Sequence, residues 1–134
     1  ERFKVKASGP DAAAQSLSGG NLQKFIVGRE ISATPKLLIV SQPTWGVDVG
    51  AAAQIRAEIL ALRDAGCAVL VVSEEVEELF ELSDRVHVIA KGRLSPSVAR
   101  GEATVERIGE WMSGLWPDAG TSKPAQEGAQ HAAA

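Results

Sequence analysis

Apolar residues follow two patterns along this chain, short unbroken runs and stripes at helical spacing, and their order sketches a fold. From Asn21 to about Ala33, Leu22, Phe25 and Ile26 fall at i, i+3 and i+4, which predicts a helix with one buried stripe. Thr34-Pro35 ends it, because a residue before proline is pushed out of the helical region. Leu37-Leu38-Ile39-Val40-Ser41 is an unbroken run of strand length and predicts a strand buried on both faces. Ala52, Ile55, Ile59 and Leu62 line one face of a second helix, stopped by Gly66, and Ala68-Val69-Leu70-Val71-Val72 is a second buried strand. Ser73 is placed to cap a short acidic helix with Val76, Leu79 and Phe80 facing inward and Glu74, Glu75, Glu77 and Glu78 near its positive end. Val86 to Ala90 is expected as a third strand, with Lys91-Gly92-Arg93 turning the chain back toward a short Leu94-Ser95 edge. Thr104 opens a last helix carrying Val105, Ile108, Trp111 and Met112 on its apolar face.

Strand, helix, strand, helix, strand at short spacing predicts an α/β architecture: a short parallel sheet with right-handed crossovers, flanked by helices. The expected divisions are a lead-in at 1–16 with few long-range signals, a main unit at 17–96 and a C-terminal helix region at 97–116. A tail at 117–134, rich in Ala, Gly, Pro, Gln and Ser, is expected to be disordered because it has no apolar stripe to bury. The N-terminal Glu1-Arg2-Phe3-Lys4 reads as an arbitrary entry into a longer chain.

Bulk properties narrow the function classes. With 134 residues, 45% apolar and 23% charged, the chain suits one globular domain or the larger part of one. The net charge of −3 and the lack of a basic stripe argue against nucleic acid as a partner. Cys67 is the single cysteine, so there is no disulfide framework, and beside Gly66 it reads as a small buried apolar residue. No His or Cys pair stands at metal-ligand spacing; His87, among apolar neighbours on a strand, reads as structural, and His131 lies in the tail.

The candidate chemistry lies at Leu17-Ser18-Gly19-Gly20-Asn21-Leu22-Gln23-Lys24. A hydroxyl and two glycines opening an amphipathic helix make a phosphate-facing surface: amides point outward, no Cβ blocks approach, and the helix dipole favours an anion. Taken alone, such a turn is usually no more than a capped helix start. Its weight comes from Gln42-Pro43-Thr44-Trp45-Gly46-Val47-Asp48, one helix and one strand later, at the strand end where α/β sheets gather ligands. Asp48 also reads as an N-cap for the helix that follows. No G-x-x-x-x-G-K-[ST] loop occurs in the chain, so the loop that would wrap the phosphates of this domain's own nucleotide is absent from it.

Together these segments resemble the second half of an ABC-type ATPase domain, a partial P-loop NTPase fold. Leu17 to Lys24 resembles the signature loop, in the L-S-G-G-N-x-Q-K form of importers of simple sugars and nucleosides. Leu37 to Gly50 takes the place of the Walker B strand and D-loop, and Glu74 that of the switch histidine. Ser83-Asp84-Arg85-Val86 and Lys91-Gly92-Arg93 resemble the elements closing such a domain, and Ile108 to Gly114 its short last helix. The resemblance covers residues 16–114. It implies that Ser18, Gly19, Gly20, Asn21, Gln23 and Asp48 face nucleotide, that Gln42 and Glu74 stand at catalytic positions, and that Ser41 stands at the metal position.

Three of these positions depart from the family together. Walker B normally ends in Asp-Glu, whereas here it ends in Ser41-Gln42, neither of which carries a charge. The Gln42 amide orients a water but accepts no proton at neutral pH. A carboxylate at Glu74 would repel the γ-phosphate, by about 4 kcal/mol at roughly 4 Å and an effective dielectric near 20. Glu74 reads more plainly as a helix-start acid. Trp45 replaces the arginine common in such importers and is either a packing residue or a partner contact.

The resemblance therefore implies an ATP-hydrolysing component of a nucleoside or simple-sugar importer, on the cytoplasmic side of the cell membrane. ATP and Mg²⁺ are the implied cofactors. A second ATPase domain, transmembrane permease subunits and, indirectly, a solute-binding protein are the implied partners. Its signature loop would complete the partner domain's site while its own site is degenerate, and the chain by itself is expected to be inactive. The rival readings are a non-catalytic dimerisation scaffold and an ABC-class ATPase of DNA maintenance.

Overall fold

The computed structural model describes residues 2–117. Of the tail at 117–134 expected to be disordered, residues 118–134 lie outside them.

The chain enters through an irregular segment and a short 3-10 turn at Ala14–Ser16, then forms helix α1 (Gly19–Ser32). Strand β1 (Leu37–Ser41), helix α2 (Val49–Asp64) and strand β2 (Ala68–Val72) follow. The strands pair in parallel with no stagger, from Leu37↔Ala68 to Ser41↔Val72. Beyond them lie helix α3 (Val76–Leu82), strands β3 (Arg85–Val86), β4 (Ile89–Ala90), β5 (Arg93–Leu94) and β6 (Val98–Ala99), and helix α4 (Val105–Met112).

Both long strands match their apolar runs residue for residue, yet neither is buried on both faces. Leu38 is buried and Val40 half-buried, while Leu37 and Ile39 are 57% and 64% exposed. On β2, Leu70 and Val72 are likewise about half exposed. Helices α1 and α2 cover one face, where Val27, Ile31, Leu38, Ile55, Ile59 and Leu82 form the main core. The opposite face of the strand pair carries no such cover among the described residues.

The third parallel strand is a correction. Val86 to Ala90 breaks into two short strands that join antiparallel partners, β3 with β6 and β4 with β5. Ser95 causes the break: its hydroxyl accepts the Val88 amide at 2.8 Å, and its own amide donates to Val88 O at 2.8 Å. His87 Nδ1 lies 3.1 Å from Ser95 O. The Lys91-Gly92 turn falls as expected, with both residues at positive φ. A cleft of about 670 Å³ separates β2 from the stretch Arg85 to Ile89, and α3 and α4 contribute Val76, Leu79, Ile108 and Met112 to its walls.

Two further expectations change. The buried stripe of α1 is Val27, Gly28 and Ile31, whereas Phe25 and Ile26 are exposed. The reason lies in the lead-in segment: the Phe3 ring packs on Gly28, where an added Cβ would meet it at 2.6 Å. Phe3 is a core residue, Arg2 pairs with Glu58, and Gln54 donates to Arg2 O, so residues 2–6 are integral to the fold. On α4, Thr104 caps Arg107 N and Ile108 and Trp111 are buried, but Val105 and Met112 are more than half exposed. These last core residues join Val86, Val88 and Val98 in a second, smaller cluster, against which Phe80 packs. Arg100 ties it to α3, stacking 4.1 Å over the Phe80 ring and donating to Phe80 O.

Candidate functional site

The glycine turn sits at the start of α1, with Ser18 in extended conformation as the N-cap residue. Ser18 makes no side-chain bond to the first-turn amides, and its Oγ instead accepts from Asn21 Nδ2 at 3.0 Å. Asn21 Oδ1 is held in turn by the Lys6 amide at 2.9 Å. Ser18 and Gly19 are exposed, and a Cβ on Gly19 would meet nothing within 4 Å. Gly20 differs: a Cβ there would lie 2.8 Å from Gly46 O, so only glycine lets the helix start approach the 42–48 turn this closely. A helix N-terminus with uncapped amides and no side chain in the way fits a phosphoryl oxygen.

The second group stands at the C-terminal ends of the parallel strands. Gln42 N donates to Val72 O at 2.7 Å, and Ser73 Oγ lies 3.4 Å from Gln42 Oε1. Gln42 has φ of 49°, the left-handed region that a non-glycine residue seldom adopts. Ser41 and Glu74 are exposed. Ser73 does not cap α3; its hydroxyl accepts from Glu75 N in a turn ahead of that helix. No group of three His, Cys, Asp or Glu converges among the described residues. With Ser41 and Gln42 neutral, the strand ends do not fit Mg²⁺.

Side chains of α1 tie the two groups together. Gln23 Nε2 donates to both Gln42 O and Pro43 O, at 2.8 and 3.1 Å. Lys24 Nζ reaches Asp48 Oδ2 at 3.0 Å, while Asp48 Oδ1 accepts from Ala51 N at 2.8 Å and caps α2. The Ala51 amide first, then the Lys24 ammonium, hold the Asp48 carboxyl below the usual carboxylate range. Trp45 is 74% exposed and packs in neither apolar cluster of the described residues.

One polar residue escaped the sequence reading. Glu78 is 4% exposed and accepts from Thr44 Oγ1 at 2.6 Å, with no hydrogen-bond partner recorded for its Oε2. Among four nearby acids it alone turns inward, and the available signal was its i, i+4 spacing to buried Leu82.

No family model matches the chain. Over 114 residues, 85% of its length, it is 46% identical to the nucleoside import ATP-binding protein NupA of Lactococcus lactis, of which it covers 22%. It is 48% identical over 79% of its length to the ribose import ATP-binding protein RbsA of a Chelativorans species, covering 21% of that protein. It is 50% identical over 75% of its length to the guanosine import ATP-binding protein NupO of Bacillus subtilis, covering 20%. The chain is homologous to import ATP-binding proteins. It spans about a fifth of the length of these relatives. Its fold is that of an ATP-binding cassette: the ADP conformation of one such cassette from an ABC transporter matches with a TM-score of 0.53. That match has 24% identity and covers 73% of this chain and 37% of the other. No helix among the described residues is long and apolar enough to cross a membrane.

Proposed function

We propose that this chain is the C-terminal part of an ATPase subunit driving import of nucleosides or simple sugars, with its glycine turn completing a nucleotide site on a partner ATPase domain. The observation that carries the reading is the start of α1, where the Gly19–Asn21 amides are uncapped by Ser18 and Gly19 is open to a neighbour. These amides would bind the terminal phosphoryl group of ATP, orient it and help exclude water, while ATP itself supplies the bond to be broken. Hydrolysis would be coupled to rearrangement of membrane-embedded permease subunits, with the ATPase peripheral on the cytoplasmic side.

The site that Ser41, Gln42 and Glu74 would line on this domain is degenerate. Gln42 orients a water but cannot take its proton, and Glu74 sets a negative charge where a phosphate would lie. The cleft beside β2 is where a strand leading into a phosphate loop would fit, since β2 pairs on one edge only among the described residues. The chain alone therefore binds MgATP weakly and does not hydrolyse it.

Substituting Ser18→Arg or Gly19→Arg in the intact transport protein should abolish MgATP turnover, because the long side chain fills the space in front of the amides where the phosphoryl group would sit. Restoring S41D, Q42E and E74H together should change turnover little. The reverse pattern overturns the assignment.

A further inference from the structure

We propose that Glu78 is a positioning residue for the glycine turn, acting through Thr44; the proposal rests on the reading above. A buried carboxylate is costly unless paired, and an apolar residue of similar size would suit this helix face better for stability alone. Glu78 is nevertheless buried on α3, with Thr44 Oγ1 donating to its Oε1 at 2.6 Å and Oε2 without a hydrogen-bond partner.

Thr44 sits at the centre of the turn after β1. There Trp45 N donates to Gln42 O at 3.1 Å and Val47 N to Thr44 O at 3.4 Å. From the other side Gln23 of α1 holds Gln42 O and Pro43 O. The turn is thus gripped by α1 at its main chain and by α3 at one hydroxyl, and it starts from the strained Gln42. Gly46, in the same turn, is the backbone against which Gly20 rests, with no room for a Cβ between them. Release of Thr44 would let the turn relax away from the first turn of α1. The Gly19–Asn21 amides would then lose their backing. Glu78 touches no substrate, and its effect passes through Thr44 and Gly46 to Gly20.

The test uses the intact transport protein and two readouts, amide hydrogen exchange and steady-state MgATP kinetics. Thr44→Val removes only the hydroxyl, Thr44→Ser keeps it, and Glu78→Ala removes the acceptor. T44V and E78A should speed exchange at Trp45 and Val47 by about tenfold, the equivalent of one hydrogen bond, with the β1–β2 ladder unchanged. They should lower kcat for MgATP by about tenfold with KM held within about twofold, the mark of an interaction expressed in the transition state. T44S should restore both. If E78A fails to fold, T44V against T44S carries the test. Unchanged exchange at the turn, unchanged kcat in T44V, or T44S as impaired as T44V overturns the proposal. S18R separates the failures: if S18R is dead while T44V is fully active, the positioning role falls and the site stands. If S18R and T44V are both fully active, the site assignment falls.

Discussion

The glycine turn at the start of α1 and the strand ends at Ser41, Gln42 and Glu74 lie on either side of one turn, yet they have been treated differently. At the glycine turn the backbone does the work: Gly19 is open, Gly20 is fitted against Gly46 O, and Asn21 is held by Lys6. At the strand ends the backbone is equally well made, with Gln42 bonded to Val72 O, but Ser41 and Gln42 lack the charge that metal binding and proton transfer need, and Glu74 carries one that would repel a phosphate. A surface that lends amides to a neighbour keeps its value when the chemistry of its own domain is lost. On the proposed reading, a degenerate Walker B segment says nothing against the signature loop beside it, because the two would serve different nucleotides.

The largest effect that would break this contrast is expected at Gly19. Gly19→Arg should lower MgATP turnover of the intact protein by about a hundredfold or more, the scale of losing preorganised donors at a transition state. It should leave the thermal midpoint near that of the parent, since a Cβ at Gly19 meets nothing of this chain within 4 Å. Gly20→Ala sharpens the contrast from the structural side. Its Cβ would meet backbone, so it should destabilise the chain by about 1–3 kcal/mol in denaturant unfolding and lower turnover as well.

Asp48 is expected to give a smaller effect. Its carboxyl should titrate below the usual carboxylate range by NMR, because the Ala51 amide and then the Lys24 ammonium favour the ionised form. A depressed folded-state value means that its contribution to stability is present above the unfolded-state value. That contribution is lost as pH falls through the lower folded-state value, so the acid limb of the stability profile should soften in Asp48→Ala. Lys24→Met should raise the Asp48 value part of the way back, with the Ala51 amide still holding it down. The smallest effect is expected from the restored triple variant S41D, Q42E, E74H, whose turnover should stay within about twofold of the parent.

Much of this was legible in the chain. The runs at Leu37–Ser41 and Ala68–Val72 gave strand bounds directly, because short apolar runs between turn signals leave little choice. Asp48 and Thr104 declared their caps through residue type and position. The burial of those strands was not legible, because an unbroken apolar run records what a strand can bury and not which neighbours these residues provide. The α1 stripe was misplaced since Gly28 has no hydropathy to signal its contact with Phe3. The split of Val86–Ala90 hinged on the Ser95 hydroxyl, a side-chain bond that periodicity does not register. Glu78 was hidden among acids that do face solvent. At the site, residue types marked the glycine turn as the candidate, whereas the ties through Gln23, Lys24 and Thr44 are long-range and needed the fold.

The most direct test of the central claim follows the backbone amide signals of Gly19 and Gly20 during MgATP titration, once in the chain alone and once in the intact protein. The account predicts shifts at both glycines in the intact protein only, saturating together with nucleotide bound on the partner domain. Shifts of the same size in the chain alone, or intact-protein shifts confined to Ser41, Gln42 and Glu74, would contradict it.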